Sequence, residues 1–379
     1  MLIFKRAIEN QILINLKKRG LTIILGPRQA GKTTLVKHIL AVSGKETSYF
    51  NCELAEVRKH FILGDPEPIR NLIGERNLVV FDEAQTIENI GKILKLFHDT
   101  YPDIKIIATG SSSFELANKI REPLTGRADE FMLYPLSLQE ISSVFTLTRE
   151  RLDMLIRYGC YPAVVAAESD EEREMQVKRI ATNYLYKDIF TFEALRNPKA
   201  FENLVTRLAA HTGGIVRTAN VAKDAGMAPK TAEEYMRLLE QAFVIKRVHS
   251  FSRNHTNELK KSYKAHFLDV GIRNVFSGES LREPTNAQQG ARFESFLFSE
   301  FVKRDTLVPF PPRTHFWRTT DKKEIDFVRV DGEALHAYEA KIATGDTAFT
   351  AFLKRYPNAT THLITPDSLL PHCTIPHAL

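Results

Sequence analysis

The sequence predicts an α/β protein. It opens with a parallel sheet and crossover helices, continues through a helical segment and a small helix-turn-helix module, and ends in a second α/β domain. Three observations carry this. Apolar runs at Leu21–Leu25, Ser48–Asn51, Leu78–Asp82, Ile104–Thr109 and Glu130–Tyr134 read as strands. Runs as continuous as Thr22-Ile23-Ile24-Leu25 and Leu78-Val79-Val80-Phe81 suit strands buried on both faces. The segments between them are long enough for the helices that parallel strands require.

The length of 379 residues allows two or three domains. Punctuation places them at residues 1–136 (the sheet), 137–197 (helical), 198–277 (helix-turn-helix) and 278–379 (mixed). Asn197-Pro198 marks one boundary, since the residue before a proline is pushed out of helical geometry. With 43% hydrophobic and 26% charged residues, the composition excludes a disordered chain. No apolar stretch is long enough to span a bilayer, and the charged N-terminus carries no cleavage-type signal. Three scattered cysteines, Cys52, Cys160 and Cys373, suit neither a disulfide framework nor a zinc site, so a cytoplasmic location is expected. Lys and Arg total 52 against 46 Asp and Glu, a net charge of +6, which fits a polyanionic partner without requiring one.

After the first strand, Gly26-Pro27-Arg28-Gln29-Ala30-Gly31-Lys32-Thr33 matches GxxxxGK[ST] and leads, through Thr34, into a helix ending near Leu40. Backbone amides of such a loop wrap phosphate oxygens, and the positive end of the helix adds to the field. Lys32 is expected to reach the β- and γ-phosphates of ATP, and the Thr33 hydroxyl to bind Mg²⁺. Fifty positions after Lys32, the third strand ends in Asp82-Glu83. Asp82 is expected to complete the Mg²⁺ shell, and Glu83 to deprotonate the attacking water. The fourth strand ends in Thr109-Gly110-Ser111-Ser112-Ser113, where Thr109 or Ser111 could contact the γ-phosphate or cap the next helix. Arg127, in Leu124-Thr125-Gly126-Arg127, reads either as a finger completing a neighbouring subunit's site or as a surface partner of Asp129 or Glu130.

The order of these motifs, with Phe81-Asp82-Glu83-Ala84-Gln85 and Tyr134-Pro135-Leu136-Ser137, resembles the AAA+ ATPases of bacteria and archaea that carry a C-terminal domain of unknown function. The resemblance covers essentially the whole chain. It implies a P-loop AAA+ sheet followed by a helical lid, Arg127 as the finger, and ring-like oligomers, a hexameric ring being the expectation. Gly159-Cys160-Tyr161-Pro162 resembles the family's Gly-Gly-aromatic-Pro lid signature, with Cys160 replacing the second glycine.

Residues 201–269 read as a winged helix-turn-helix. Glu202–His211 and Thr218–Ala225 form helices, Gly226 turns the chain, and Pro229 opens a third helix over Lys230–Ala242. In that reading Lys230 and Thr231 lie nearest a DNA duplex, and strands Phe243–Phe251 and Tyr263–Leu268 flank a wing. Residues 243–264 hold six basic residues (Lys246, Arg247, Arg253, Lys260, Lys261, Lys264) against the single acid Glu258. Arg253, Lys260 and Lys261 are the expected phosphate contacts on the wing. The alternative is a winged helix that binds protein and carries a solvated basic hairpin.

In the last third, Glu294 lies on a helix over Ala291–Lys303, Asp326 on one strand, and Glu339-Ala340-Lys341 closes a second. Carboxylates on adjacent strands can hold divalent cations, and Lys341 shares the strand face of Glu339. The arrangement resembles the PD-(D/E)XK nuclease superfamily, which implies a nuclease-like α/β fold. The alternative is a fold kept for structure, its carboxylates paired with Lys322, Lys323 or Arg329. The function expected from all this is an ATP- and Mg²⁺-dependent AAA+ motor acting on DNA, forked or branched duplex included, with DNA binding by the winged helix and a nuclease-like domain that could cut with the help of metal. Its alternatives are a DNA-remodelling motor without nuclease activity and an ATP-controlled switch whose winged helix binds protein.

Overall fold

The computed structural model describes residues 3–18, 20–110, 126–183, 197–251 and 262–369. They form two compact units, one made of residues 5–135 with 241–243, the other of the rest.

In the first unit, β1 (Leu21–Leu25), β2 (Thr47–Asn51), β3 (Leu78–Asp82), β4 (Lys105–Gly110) and β5 (Ala128–Met132) all run parallel in the spatial order β2-β3-β4-β1-β5. The burial of each strand follows from its place. Every residue of β1 and β3 is buried, as are five of the six in β4, whereas the edge strands β2 and β5 stay half-covered. Each of Leu78, Val79, Val80 and Phe81 is fully buried, worth about 1.5–3 kcal/mol per side chain. The helices are α1 (Glu9–Asn15), α2 (Lys32–Val42), α3 (Ala55–Arg58), α4 (Glu67–Ile73) and α5 (Ile90–Thr100). This is the parallel α/β sheet with crossover helices that the apolar runs predict. β5 begins and ends two residues before the expected Glu130–Tyr134, because an edge strand reading Ala-Asp-Glu-Phe-Met has no continuous apolar run to betray it.

The second unit begins with α6 (Leu138–Ser142), α7 (Arg149–Tyr158), α8 (Pro162–Val165) and α9 (Asp170–Asn183). Ser137 and Glu140 close a reciprocal capping box at the start of α6. Gly159 takes the positive φ of the turn between α7 and α8 (87°), and a Cβ there would lie 2.2 Å from an Asp269 carboxylate oxygen. Cys160 has no positive φ, so a side chain is tolerated where the family signature has its second glycine; its N–H donates to Asp269 (2.8 Å).

Next come α10 (Pro198–Ala210), β6 (Ile215–Val216), α11 (Thr218–Ala225), α12 (Pro229–Gln241), β7 (Ile245–His249) and β8 (Tyr263–Phe267). The Asn197 side chain caps α10 by accepting from the Ala200 N–H (3.1 Å), with Pro198 at the first helical position. The three strands make one antiparallel sheet with β8 in the middle.

The chain then forms α13 (Val270–Phe276), α14 (Asn286–Asp305), β9 (Arg313–Arg318), β10 (Glu324–Asp331), β11 (Ala334–Ala340), α15 (Phe349–Arg355) and β12 (Thr360–Ile364). The last sheet has the order β12-β11-β10-β9, antiparallel except for the β11/β12 pair.

Buried polar bonds weld this second unit together. Glu300 on α14 accepts from the Leu138 N–H (2.9 Å) and pairs with Lys303 (2.6 Å), which also donates to the Leu136 carbonyl (2.8 Å). Asn274 on α13 donates to the carbonyls of Ile156 and Arg157. Phe251 N–H donates to the Phe316 carbonyl (2.6 Å), joining the three-stranded sheet to the four-stranded one. No helix among the described residues is long and apolar enough to cross a membrane.

Candidate functional site

The Gly26–Thr33 loop lies between β1 and α2, at the carboxyl edge of the parallel sheet where ligands of such sheets bind. Gly26 lies so close to the neighbouring chain that a Cβ there would sit 2.0 Å from the Leu133 carbonyl oxygen. Lys32 is the first residue of α2 and is 4% exposed; its ammonium donates to the carbonyls of Gly26 (2.9 Å) and Pro27 (3.0 Å). The loop is braced from below by Arg6, which donates to the carbonyls of Ala30 (2.7 Å) and Tyr134 (2.6 Å).

Asp82 ends β3 and is 3% exposed. Its carboxylate accepts from three hydroxyls on three different elements: Thr33 on α2 (2.7 Å), Tyr49 on β2 (2.5 Å) and Thr109 on β4. The pairing of Thr33 with Asp82 brings together two hard oxygen donors of the kind Mg²⁺ prefers, so the residues present fit that ion. The Thr109 hydroxyl also accepts from the Glu83 N–H (3.1 Å) and is fully buried. It therefore orients the Asp82–Glu83 pair from behind. Glu83 adopts a left-handed conformation (φ 55°), and its carboxylate accepts from Gln85 (2.5 Å).

Burial, then the bond to Asp82, raises the Tyr49 pKa above the ordinary tyrosine range. Burial followed by the charges of Asp82 and Glu83 pushes the Cys52 thiol up to about 12. Both stay protonated at neutral pH, Tyr49 as a donor to Asp82.

Tyr49 and Arg6 escape a motif-based reading, since their partners are 33 and at least 24 positions away. The signal for Tyr49 is its place in β2, directly beside β3. Ser111 lies outside the described residues. Arg127 immediately precedes β5, and its carbonyl accepts from the Leu21 N–H (2.8 Å), so it sits at the amino edge of the sheet. One strand length, about 15 Å, separates that edge from the chain's own phosphate loop. Its side chain pairs with Asp99 (2.9 Å) rather than with Asp129 or Glu130, in a contact more than a third exposed on both sides.

In the other unit, the candidate nuclease residues are only partly united. Glu294 on α14 and Asp326 on β10 both face the ammonium of Lys264, at 3.0 and 3.8 Å, with Glu324 at 2.6 Å. Glu339 accepts from the Ala348 N–H (2.5 Å) and pairs with Lys341 (3.4 Å). The partners expected for these carboxylates, Lys322, Lys323 and Arg329, are replaced by Lys264, Lys341 and, for Glu324, Arg318 (2.9 Å); Arg329 pairs with Asp305 instead. Burial, then Glu294, raises the Asp326 pKa; burial also raises that of Glu339. Burial alone would depress the Lys264 pKa, but Glu294, Asp326 and Glu324 raise it above the ordinary lysine value, so it stays charged. No group of three or more His, Cys, Asp or Glu side chains among the described residues is placed to hold a metal ion.

On the helix-turn-helix segment, Lys230 is exposed and Thr231 half-exposed at the start of α12. Arg253, Lys260 and Lys261 lie outside the described residues. The basic count over residues 243–264 needs correcting in space. Arg247 is engaged with Glu233 (2.5 Å) and Glu240 (2.8 Å), and Lys264 is wholly buried. Neither contributes to a surface patch.

An AAA domain family matches residues 18–142, and two domains of unknown function, DUF8612 and DUF4143, match residues 149–283 and 289–368. An uncharacterised protein of Mycobacterium tuberculosis is 26% identical over 346 residues, covering 90% of this chain and 74% of that one. One of Haemophilus influenzae is 23% identical over 330 residues, covering 81% and 78%. Among solved structures, a Walker-type ATPase of Pyrococcus abyssi is similar at a TM-score of 0.49 and 16% identity, over 72% of this chain and 96% of the other. The RuvB Holliday junction branch migration motor of Thermotoga maritima has a TM-score of 0.32 and 14% identity, over 65% and 90%.

Proposed function

We propose that this chain, which matches an AAA domain family over residues 18–142 and a domain of unknown function over residues 289–368, is an oligomeric motor that spends ATP on duplex DNA. The observation that carries the DNA half is the order α10-β6-α11-α12-β7-β8, with Gly226 (φ 72°) turning α11 into α12. That is the order of a winged helix, and it leaves Lys230, at the start of the candidate recognition helix, in solvent.

At the nucleotide site the roles follow from position. Gly26, Pro27, Arg28, Gln29, Ala30 and Gly31 form the loop around the phosphates, and Lys32 supplies the positive charge at their β- and γ-oxygens. Thr33 and Asp82 would hold Mg²⁺, which supplies Lewis-acid stabilisation of charge on the phosphates. Glu83, held by Gln85, accepts the proton of the attacking water, and Thr109 keeps Asp82 and Glu83 in register.

Arg127 sits at the wrong edge of the sheet to serve its own loop, so its guanidinium would complete the site of a neighbouring copy, the reason for proposing a ring. Mixing Arg127→Ala with Lys32→Ala chains is then expected to restore part of the turnover each lacks alone, read as phosphate release. Recovery fails if Arg127 acts only on Asp99.

The test of the DNA reading is ATP turnover of the purified chain with single-stranded, duplex, forked and four-way DNA. Several-fold stimulation by one form is expected, along with salt-sensitive binding that Lys230→Glu weakens. The inward-turned Arg247 and Lys264 favour one second reading, a protein-binding winged helix in an ATP-controlled switch. Turnover indifferent to every DNA, with Lys230→Glu silent, would favour that reading.

A further inference from the structure

The nuclease-like arrangement of Glu294, Asp326, Glu339 and Lys341 implies a divalent metal, and the side chains around it do not fit one. We infer that Lys264 is the resident cation of this cluster, a covalently tethered ammonium in the place where the nuclease superfamily holds metal, and that the C-terminal sheet is a non-cleaving structural module. The inference goes beyond the proposed motor, which holds or fails independently of it.

The argument starts from how the ammonium is delivered. Lys264 belongs to β8, the middle strand of the three-stranded sheet, in register with Ile215 on one side and Val248 on the other. Every residue of β8 is buried, and the Lys264 side chain is 0% exposed. A lysine so enclosed is no surface side chain that strayed inward, because taking an ammonium out of water is costly unless anions meet it. Three do: Glu294 from α14, and Glu324 and Asp326 from β10. The Phe316 ring, 5.7 Å from the ammonium, gives a further favourable face.

Two of the remaining carboxylate oxygens are also engaged. Asp326 accepts from the Ala340 N–H (2.9 Å), and Glu324 from the Arg318 guanidinium (2.9 Å). Glu339 accepts from the Ala348 N–H and pairs with Lys341. A divalent cation keeps several waters but still needs one or two carboxylate oxygens, which it would have to take from these donors while resting against a fixed positive charge. The neighbouring His266 is fully buried, with burial and then Lys264 lowering its pKa well below the ordinary histidine range, so it adds no second cation.

The test is titration of the nucleotide-free full-length chain with Mn²⁺, followed by electron paramagnetic resonance and thermal unfolding. Wild type and Asp326→Asn are expected to bind Mn²⁺ alike, with no difference in midpoint shift and no Mn²⁺-dependent nicking of plasmid or forked DNA by either. Lys264→Met is expected to unfold at a lower temperature without metal, to gain a Mn²⁺ site, and to recover part of the lost midpoint on binding. The added change Asp326→Asn should remove that site. A Mn²⁺ site in the wild type that Asp326→Asn abolishes, or cleavage lost with it, would overturn the inference. This first comparison decides the matter even where Lys264→Met does not fold.

Discussion

Replacing Lys32 by alanine is expected to lower ATP turnover by about 10²–10³-fold, the usual cost of removing one preorganised charge-stabilising donor. The structure gives the reason in two parts. The ammonium is the only cationic group at the first turn of α2, pointing along a loop whose carbonyls at Gly26 and Pro27 it holds. Alanine removes both the charge that would meet the β- and γ-phosphates and the ammonium that holds the Gly26 and Pro27 carbonyls. Binding should weaken as well, because the loop loses its form before nucleotide arrives. Steady-state phosphate release checks the prediction, and turnover at the wild-type rate would remove the central assignment of this site.

The second large effect is expected at Glu83. Glu83→Gln keeps the shape of the side chain and its neighbour Gln85 but cannot take a proton, so turnover should fall by about 10²–10⁴-fold, the range for a general base. Nucleotide affinity should be retained, since Lys32, Thr33 and Asp82 are untouched. A fluorescent nucleotide titration beside the turnover assay separates the two quantities. Loss of both together would mean that the carboxylate supports the left-handed turn at φ 55° rather than the chemistry.

Much of this was legible in the sequence where burial is two-sided. β1 and β3 are central strands, and their unbroken apolar runs fall on Leu21–Leu25 and Leu78–Asp82 as expected. The edge strand β5, with both Asp129 and Glu130 exposed, gave a weaker pattern and was displaced by two residues. β12, reading Thr-Thr-His-Leu-Ile, and the short α15 had no signature strong enough to be read at all. In the candidate site, local spacing carries Lys32, Thr33, Asp82 and Glu83. Tyr49 and Arg6 reach it only through the folded chain. Lys264 shows the sharpest limit. Counted along the chain it belongs to a basic cluster, but β8 is covered on both faces, and alternation cannot show which way a strand's charge points when every residue of it is buried.

A cation that is part of the polypeptide never dissociates. Its effective concentration at the carboxylates is fixed by the backbone and does not fall when the surrounding solution is depleted of ions. Chelators and swings in free magnesium would therefore alter the supply of metal to ATP while leaving the packing of β8 against β10 and α14 unchanged. Any dependence on metal would then fall on the first unit alone, where ATP is proposed to turn over.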